Sequence, residues 1–377
     1  MSTVRRVKQL KGEIARKYAS ASDLRGSAQA LTVLVSLFLL WIAAVQGSRL
    51  THWSLLITIP VLSLFLLRLF ALMHDCGHGC LFRSRALNRA FGFLFGVISG
   101  MPQYVWARHH NFHHATNGNW ERYRGAIATL SVREFAALSP AKQRRYARER
   151  HLGMAPLAGF IYLVLNPRLT WIKGTARLVG HLVRGKARAP ATPFKVIAAS
   201  FETRLWDSPR EYWHMTANNL VLLAAVVAGC WFIGTATFLT IWILSTSLAG
   251  AAGLVLFTVQ HNFEHAYAAD TEHWDYDVGA IHGTSFLVLP AWLNWFTANI
   301  GYHHVHHLSA SIPNYRLIRC HEEYRDLFTE VPRVSLAELP HAITCILWDE
   351  AAERIISIAE YRRQVAAAPA TATLNAA

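Results

Sequence analysis

Twelve of the chain's 20 histidines stand in four clusters. They read His74-Asp-Cys-Gly-His78, His109-His110-Asn-Phe-His113-His114, His261-Asn-Phe-Glu-His265 and His303-His304-Val-His306-His307. Neutral imidazole is the commonest protein ligand for iron, copper, zinc and nickel, so clustered histidines propose a metal centre. Residues three and four apart share one face of a helix. His74 with His78, His110 with His113 and His114, His261 with His265, and His303 with His306 and His307 can therefore each aim their rings at one point. One tetrahedral ion takes about four ligands, so these ten candidates suit two ions. His109 and His304 fall off the shared faces and are expected to hydrogen-bond around the ligands instead, since ligating rings need outer partners to fix their tautomer. A single pair of this spacing could be chance. A dozen histidines beside lipid could not, because a buried imidazole without a partner costs free energy.

The first cluster places Asp75-Cys76-Gly77 between its histidines, not the glutamate that serves zinc peptidases as general base. Hydrolysis then has no obvious proton acceptor, and iron becomes the better choice. Two imidazole-bound irons can reduce O2 to an oxidant strong enough to take hydrogen from an unactivated alkyl chain. Asp75, Glu264, Asp270, Asp275, Asp277, Asn299 and His282 stand close enough in sequence to the clusters to serve as outer partners.

The elements that must position these residues are apolar. Hydrophobic runs at about residues 28–46 and 53–73 approach the ~20 residues that cross a bilayer as a helix. A further stretch, 220–259, is about twice that length, with Gly234-Thr235 as its expected bend. Lys and Arg crowd the N-terminal segment and the region between the two hairpins, which places both in the cytoplasm. Four crossings in two hairpins bring all four clusters to that one side, whereas an odd count would split them. Residues 90–101 and 156–165 are shorter apolar pieces, expected to lie in the interface. The basic run 142–150 suits headgroups or a solvated helix face equally. The expected fold is thus an all-α integral membrane protein of four transmembrane helices, with a cytoplasmic helical cap carrying the metal site. It forms one domain over residues 1–377, with a core at about 30–330, a cytoplasmic segment 1–27 and a low-complexity, disordered tail at 364–377.

Composition agrees with a bilayer as solvent: 53% of residues are hydrophobic and mean hydropathy is +0.22. The formal net charge is +14, but the basic residues flank apolar spans and form no compact polar domain, so lipid headgroups are the expected partner and nucleic acid is not. The five cysteines form no CxxC pair, which leaves neither a disulfide framework nor a thiolate metal site. No cleavable signal peptide is expected, because the basic start precedes a span too long and too late for one.

The boxes HDCGH, HNFHH and HHVHH, the last followed by Ile312-Pro313-Asn314-Tyr315, resemble those of the membrane fatty acid desaturases. The resemblance covers residues 30–330 and points to the bacterial and plastid-type acyl-lipid omega-6 (delta-12) branch. It implies a di-iron centre, O2 as co-substrate, and electrons from a separate ferredoxin or cytochrome b5 type donor. It implies His74, His78, His110, His113, His114, His303, His306 and His307 as ligands, with a further one from the fourth cluster. That cluster departs from the family pattern, since Gln260-His261-Asn-Phe-Glu-His265 fits two registers. His261 is the favoured ligand there, and His265 is a tenth ligand or a polar neighbour.

The expected function is the introduction of a cis double bond into an acyl chain carried by a lipid or thioester. Trp106, Trp292, Trp295 and Tyr302 could wall a tunnel for that chain, or anchor the protein at the interface. A hydroxylase or acetylenase on the same centre is the nearest rival. A histidine-lined metal transporter or receptor is the rival of another class, but it would place its ligands within the bilayer core.

Overall fold

The computed structural model describes residues 3–124 and 128–367. The described residues are mostly helical, with two small sheets that an all-α reading had not included. Leu130–Ser131 pairs in parallel with Cys345–Asp349, which pairs antiparallel with Arg354–Ser357. Phe286–Val288 pairs in parallel with Arg333–Ser335. Strands of two to five residues are too short to print a period of two on the sequence.

The chain forms two compact units. One is built from Asp23–His109 and Gly159–Gly250. Its first hairpin joins α2 (Asp23–Leu50) to α3 (Leu55–His78), as the two apolar runs predict. Thr51 caps the short turn between them. α4 (Arg85–Ser99) covers the first short apolar piece, and Ser84 caps it by accepting from the Leu87 amide. The long apolar stretch divides where its glycine predicts, into a Pro209–Ile233 helix and a Thr235–His261 helix. Gly234 sits between them at φ 97°, a backbone conformation that side chains with a Cβ rarely adopt. Large apolar side chains such as Phe38, Leu223, Val227 and Phe232 stay exposed along these helices, the pattern of surfaces that face lipid.

Among the described residues, five helical stretches are long and apolar enough to cross a membrane, one more than the four crossings expected. The addition is Leu152–Arg188, of 37 residues with hydropathy 1.3 against 1.8 to 2.4 for the others. The sequence reading ended this piece at residue 165. The helix instead continues through a π-helical turn, Ile161–Leu165, into Asn166–Arg188, whose second half is basic.

The other unit draws on Met1–Ser22, His110–Ala158 and Ala251–Ala377. Its core includes α1 (Thr3–Tyr18), whose Val7, Ile14 and Tyr18 pack with Ile281, Val305, Leu308, Leu317 and Cys320. Lys8 and Lys11 of α1 pair with Asp275 and Asp277 at 2.5 and 2.7 Å. The basic run 142–150 falls mainly in a Pro140–Glu149 helix, with Tyr146 buried. In the tail, Val365 to Ala367 continue the last helix, Ile358–Ala367. The rest of the expected disordered tail lies outside the described residues.

Candidate metal centre

The HNFHH box lies on α5 (Gln103–Thr116). The chain then turns at Gly118, φ 81°, where a Cβ would stand 2.7 Å from the Tyr267 ring. Beyond it the Trp120 amide donates to the Ala269 carbonyl, and the Asn117 side-chain amide donates to the Gly279 and Gly283 carbonyls. The segment after the HNFHH box is thereby stitched to the segment after His261, which brings His113 to His261.

His261 is the last residue of its helix. Its Nδ1 lies 3.3 Å from the Gly283 carbonyl, which sets the ring so that Nε2 faces inward. That Nε2 lies 3.1 Å from Nε2 of His113 and 2.8 Å from Nε2 of His303. His303–Leu308 is a short helix entered through Ala298 and Asn299, both in the left-handed region at φ 49° and 61°. Its spacing turns His303, His306 and His307 to one side, while His304 meets Nδ1 of His321 at 2.8 Å on the other.

Two groups of nitrogens result within this unit. His113, His261, His303 and His307 offer ligand atoms within 4.8 Å of one another, all buried. Beside them, His114 Nε2 lies 3.0 Å from both His110 Nε2 and His306 Nε2. The His114 and His307 rings stack at 4.1 Å between centroids. In the other unit, His74 and His78 lie one turn apart at the end of α3, with ring centroids 4.7 Å apart. His74 Nδ1 meets Asp75 Oδ1 at 3.1 Å.

The donor set fits a metal. Two nitrogens each about 2.1 Å from one ion and at right angles lie about 3.0 Å apart, close to the separations found. His307 Nε2 is buried with no hydrogen-bond partner among the described residues, a site a metal would satisfy. Burial and the surrounding histidines push the His307 pKa well down, which keeps its ring in the neutral form that ligates. An all-nitrogen set suits iron, copper, zinc or nickel and disfavours magnesium or calcium.

Several expected participants are placed elsewhere. His265 is exposed and joins neither group, because the helix ends at His261 and the four-residue spacing no longer describes one face. Glu264 is held by Arg354 at 2.6 Å and meets no clustered ring. Asn299 shapes the turn before the last box, donating to the Asn314 carbonyl at 3.1 Å. His109 is exposed beside Arg108, Asp270 holds His273, and Asp275 and Asp277 face α1. His282 lies 3.7 Å from Glu330. Trp292 and Trp295 are exposed, whereas Trp106 is buried and donates to the Tyr162 hydroxyl. Sequence reasoning missed His321, the Gly283 carbonyl and α1. Only α1 carried a signal, in the spacing of Val7, Leu10 and Ile14 along one face.

A family model for fatty acid desaturases matches residues 51–336. The chain is 31% identical to the fatty acid desaturase of Bacillus subtilis strain 168 over 93% of its own length and 90% of that protein's. It is 24% identical to the sn-1 oleoyl-lipid 12-desaturase of Anabaena variabilis, covering 71% of this chain and 69% of that one. It is also 24% identical to the sn-1 acyl-lipid omega-3 desaturase (ferredoxin) of Synechocystis sp., covering 71% and 66%. The protein belongs to the fatty acid desaturase family and is an oxidoreductase.

Proposed function

We propose that this protein is an O2-dependent di-iron desaturase that introduces a cis double bond into the acyl chain of a membrane lipid. The observation that carries the reading is the convergence of seven buried imidazoles into two adjoining groups, in a chain of the desaturase family. His113, His261, His303 and His307 would hold one iron. His110, His114 and His306 would hold the other, and the likeness of the HDCGH box to that of the family implies His74 and His78 as further ligands. Iron in such a site supplies, with O2, the power to break unactivated C–H bonds that acid–base groups lack.

The chain's own residues hold the rings and keep them neutral. The Gly283 carbonyl fixes His261, Asp75 fixes His74, and the His304–His321 contact seats the last box. Taking two hydrogens from adjacent methylenes while O2 becomes two waters requires two further electrons. A separate donor must deliver them, and a ferredoxin is named for the Synechocystis relative. The acyl chain has no polar handle at the reacting carbons, so apolar walls must position it, discriminating single methylenes by only ~1–3 kcal/mol.

Four crossings are supported by parity, and a cytoplasmic centre by the Lys and Arg that crowd the segments carrying the boxes. His113 and His261 touch, so the chain between them crosses the bilayer an even number of times. Three candidate spans lie between them, and Leu152–Arg188, the least apolar, is the one that lies in the interface.

The test is a fatty acid profile of a desaturase-free host before and after expression with a donor system. A new monounsaturated or further unsaturated species, lost in His110→Ala, is the expected result. The 12 position is the first to assay, because the Anabaena variabilis relative is named an sn-1 oleoyl-lipid 12-desaturase. An oxygenated product or an unchanged profile would overturn the reading.

A further inference from the structure

Arg168 sits in the Asn166–Arg188 helix, half-buried, and every acceptor it meets is neutral. Nη1 donates to the carbonyls of Gly100, Leu163 and Val164, Nε to Asn219 Oδ1 at 2.7 Å, and Nη2 to Asn218 Oδ1 at 3.2 Å. No carboxylate pairs with it among the described residues. The Asn166–Arg188 helix contains no acidic residue, and Glu211, the one acid of the Pro209–Ile233 helix, is bound to Arg108.

A guanidinium only donates hydrogen bonds, so both asparagines must turn their oxygens toward it. Their Nδ2 groups then face away, and both are buried with no partner among the described residues. Asn218 and Asn219 are 0% and 3% exposed. A positive charge without a counter-ion and two amide groups without acceptors thus occur together. Each alone costs free energy, and an anion seated on the amide groups would satisfy them and lie near enough to the guanidinium to offset its charge.

The surroundings indicate the anion's chemistry. The cluster ends a polar seam between two helices apolar enough to lie in lipid: Trp171 donates to Thr216 at 3.0 Å, and Thr175 meets Tyr212 at 3.3 Å. Asn219 lies ten residues beyond Pro209, roughly 15 Å along the helix at 1.5 Å per residue. An oxyanion attached to an alkyl chain can reach such a place, with its tail among the exposed apolar side chains. We infer that Arg168, Asn218 and Asn219 form a binding site for the oxyanion of an amphiphile, either a phospholipid phosphate or a fatty acid carboxylate. The site shares no residue with the histidine groups and does not depend on the iron reading.

The full-length protein in neutral detergent, loaded with phosphatidylglycerol, diacylglycerol or oleate, would be weighed by native mass spectrometry. Retention of phosphatidylglycerol at least tenfold above diacylglycerol, which lacks the phosphate, identifies a phospholipid phosphate, while selective retention of oleate identifies a carboxylate. Asn219→Asp supplies an internal carboxylate to Arg168, so it should raise the melting temperature and abolish the preference, as should Arg168→Gln where that variant folds. No preference in the wild type, or an unchanged one in Asn219→Asp, would overturn the inference.

Discussion

His261 and His265 are four apart, the spacing of one helix face, yet only His261 turns inward, because its helix stops there. Removing each separates ligation from mere proximity. His307→Ala should lose most bound iron, and His265→Ala should keep the wild-type amount, as read by metal analysis of purified protein. His321 makes a second residue-scale prediction. Burial, reinforced by Arg333 and Arg325, holds its pKa below 6.5. The unfolded chain therefore takes up a proton near pH 6.5 that the folded one refuses. Stability is full above that pH and falls below it, by up to ~1.4 kcal/mol per pH unit for one such group. The apparent melting temperature should drop between pH 7 and 5, and less steeply in His321→Gln, which keeps a hydrogen-bonding partner for His304. At this scale the ligand-bearing helices were legible because the three- and four-residue spacing survives folding wherever the helix does. The outer contacts were not, since Glu264 and Asp277 found basic partners at sequence separations of 90 and 266 residues, which no local pattern records.

The elements that bring distant boxes together are loops. Gly118 permits the turn after α5, and the Tyr267 ring occupies the space a side chain would need. Gly118→Ala should destabilise the protein by at least about 1 kcal/mol from backbone strain alone and reduce iron occupancy, while leaving the α2–α3 hairpin intact by limited proteolysis. α1 is likewise structural, not a loose basic leader, for its apolar face packs against Val305 and Leu308 of the last histidine helix. Its Lys and Arg content marked the segment only as cytoplasmic, and its short apolar face was not read. The hairpin boundary at Gly234, by contrast, was plain in the sequence, because an apolar run of twice the span length has to bend somewhere.

For the whole molecule, the length of Leu152–Arg188 makes it a fifth candidate span, and the proposed topology makes it an interfacial one. Cysteine-accessibility mapping should find residues introduced at exposed positions near His109 and near His265 reactive from the same, cytoplasmic, face of intact cells. Reactivity from opposite faces would show that this helix crosses. Apolar length alone could not distinguish these cases. The 3.1 Å contact between histidines 148 residues apart is what favours an even number of crossings between them.

The most direct measurement is the metal content of the purified wild-type protein, by elemental analysis with Mössbauer spectroscopy of iron-57. Two irons per chain, in a coupled pair and lost together in His303→Ala, is the result predicted. One iron, or zinc at full occupancy in catalytically active protein, would contradict it.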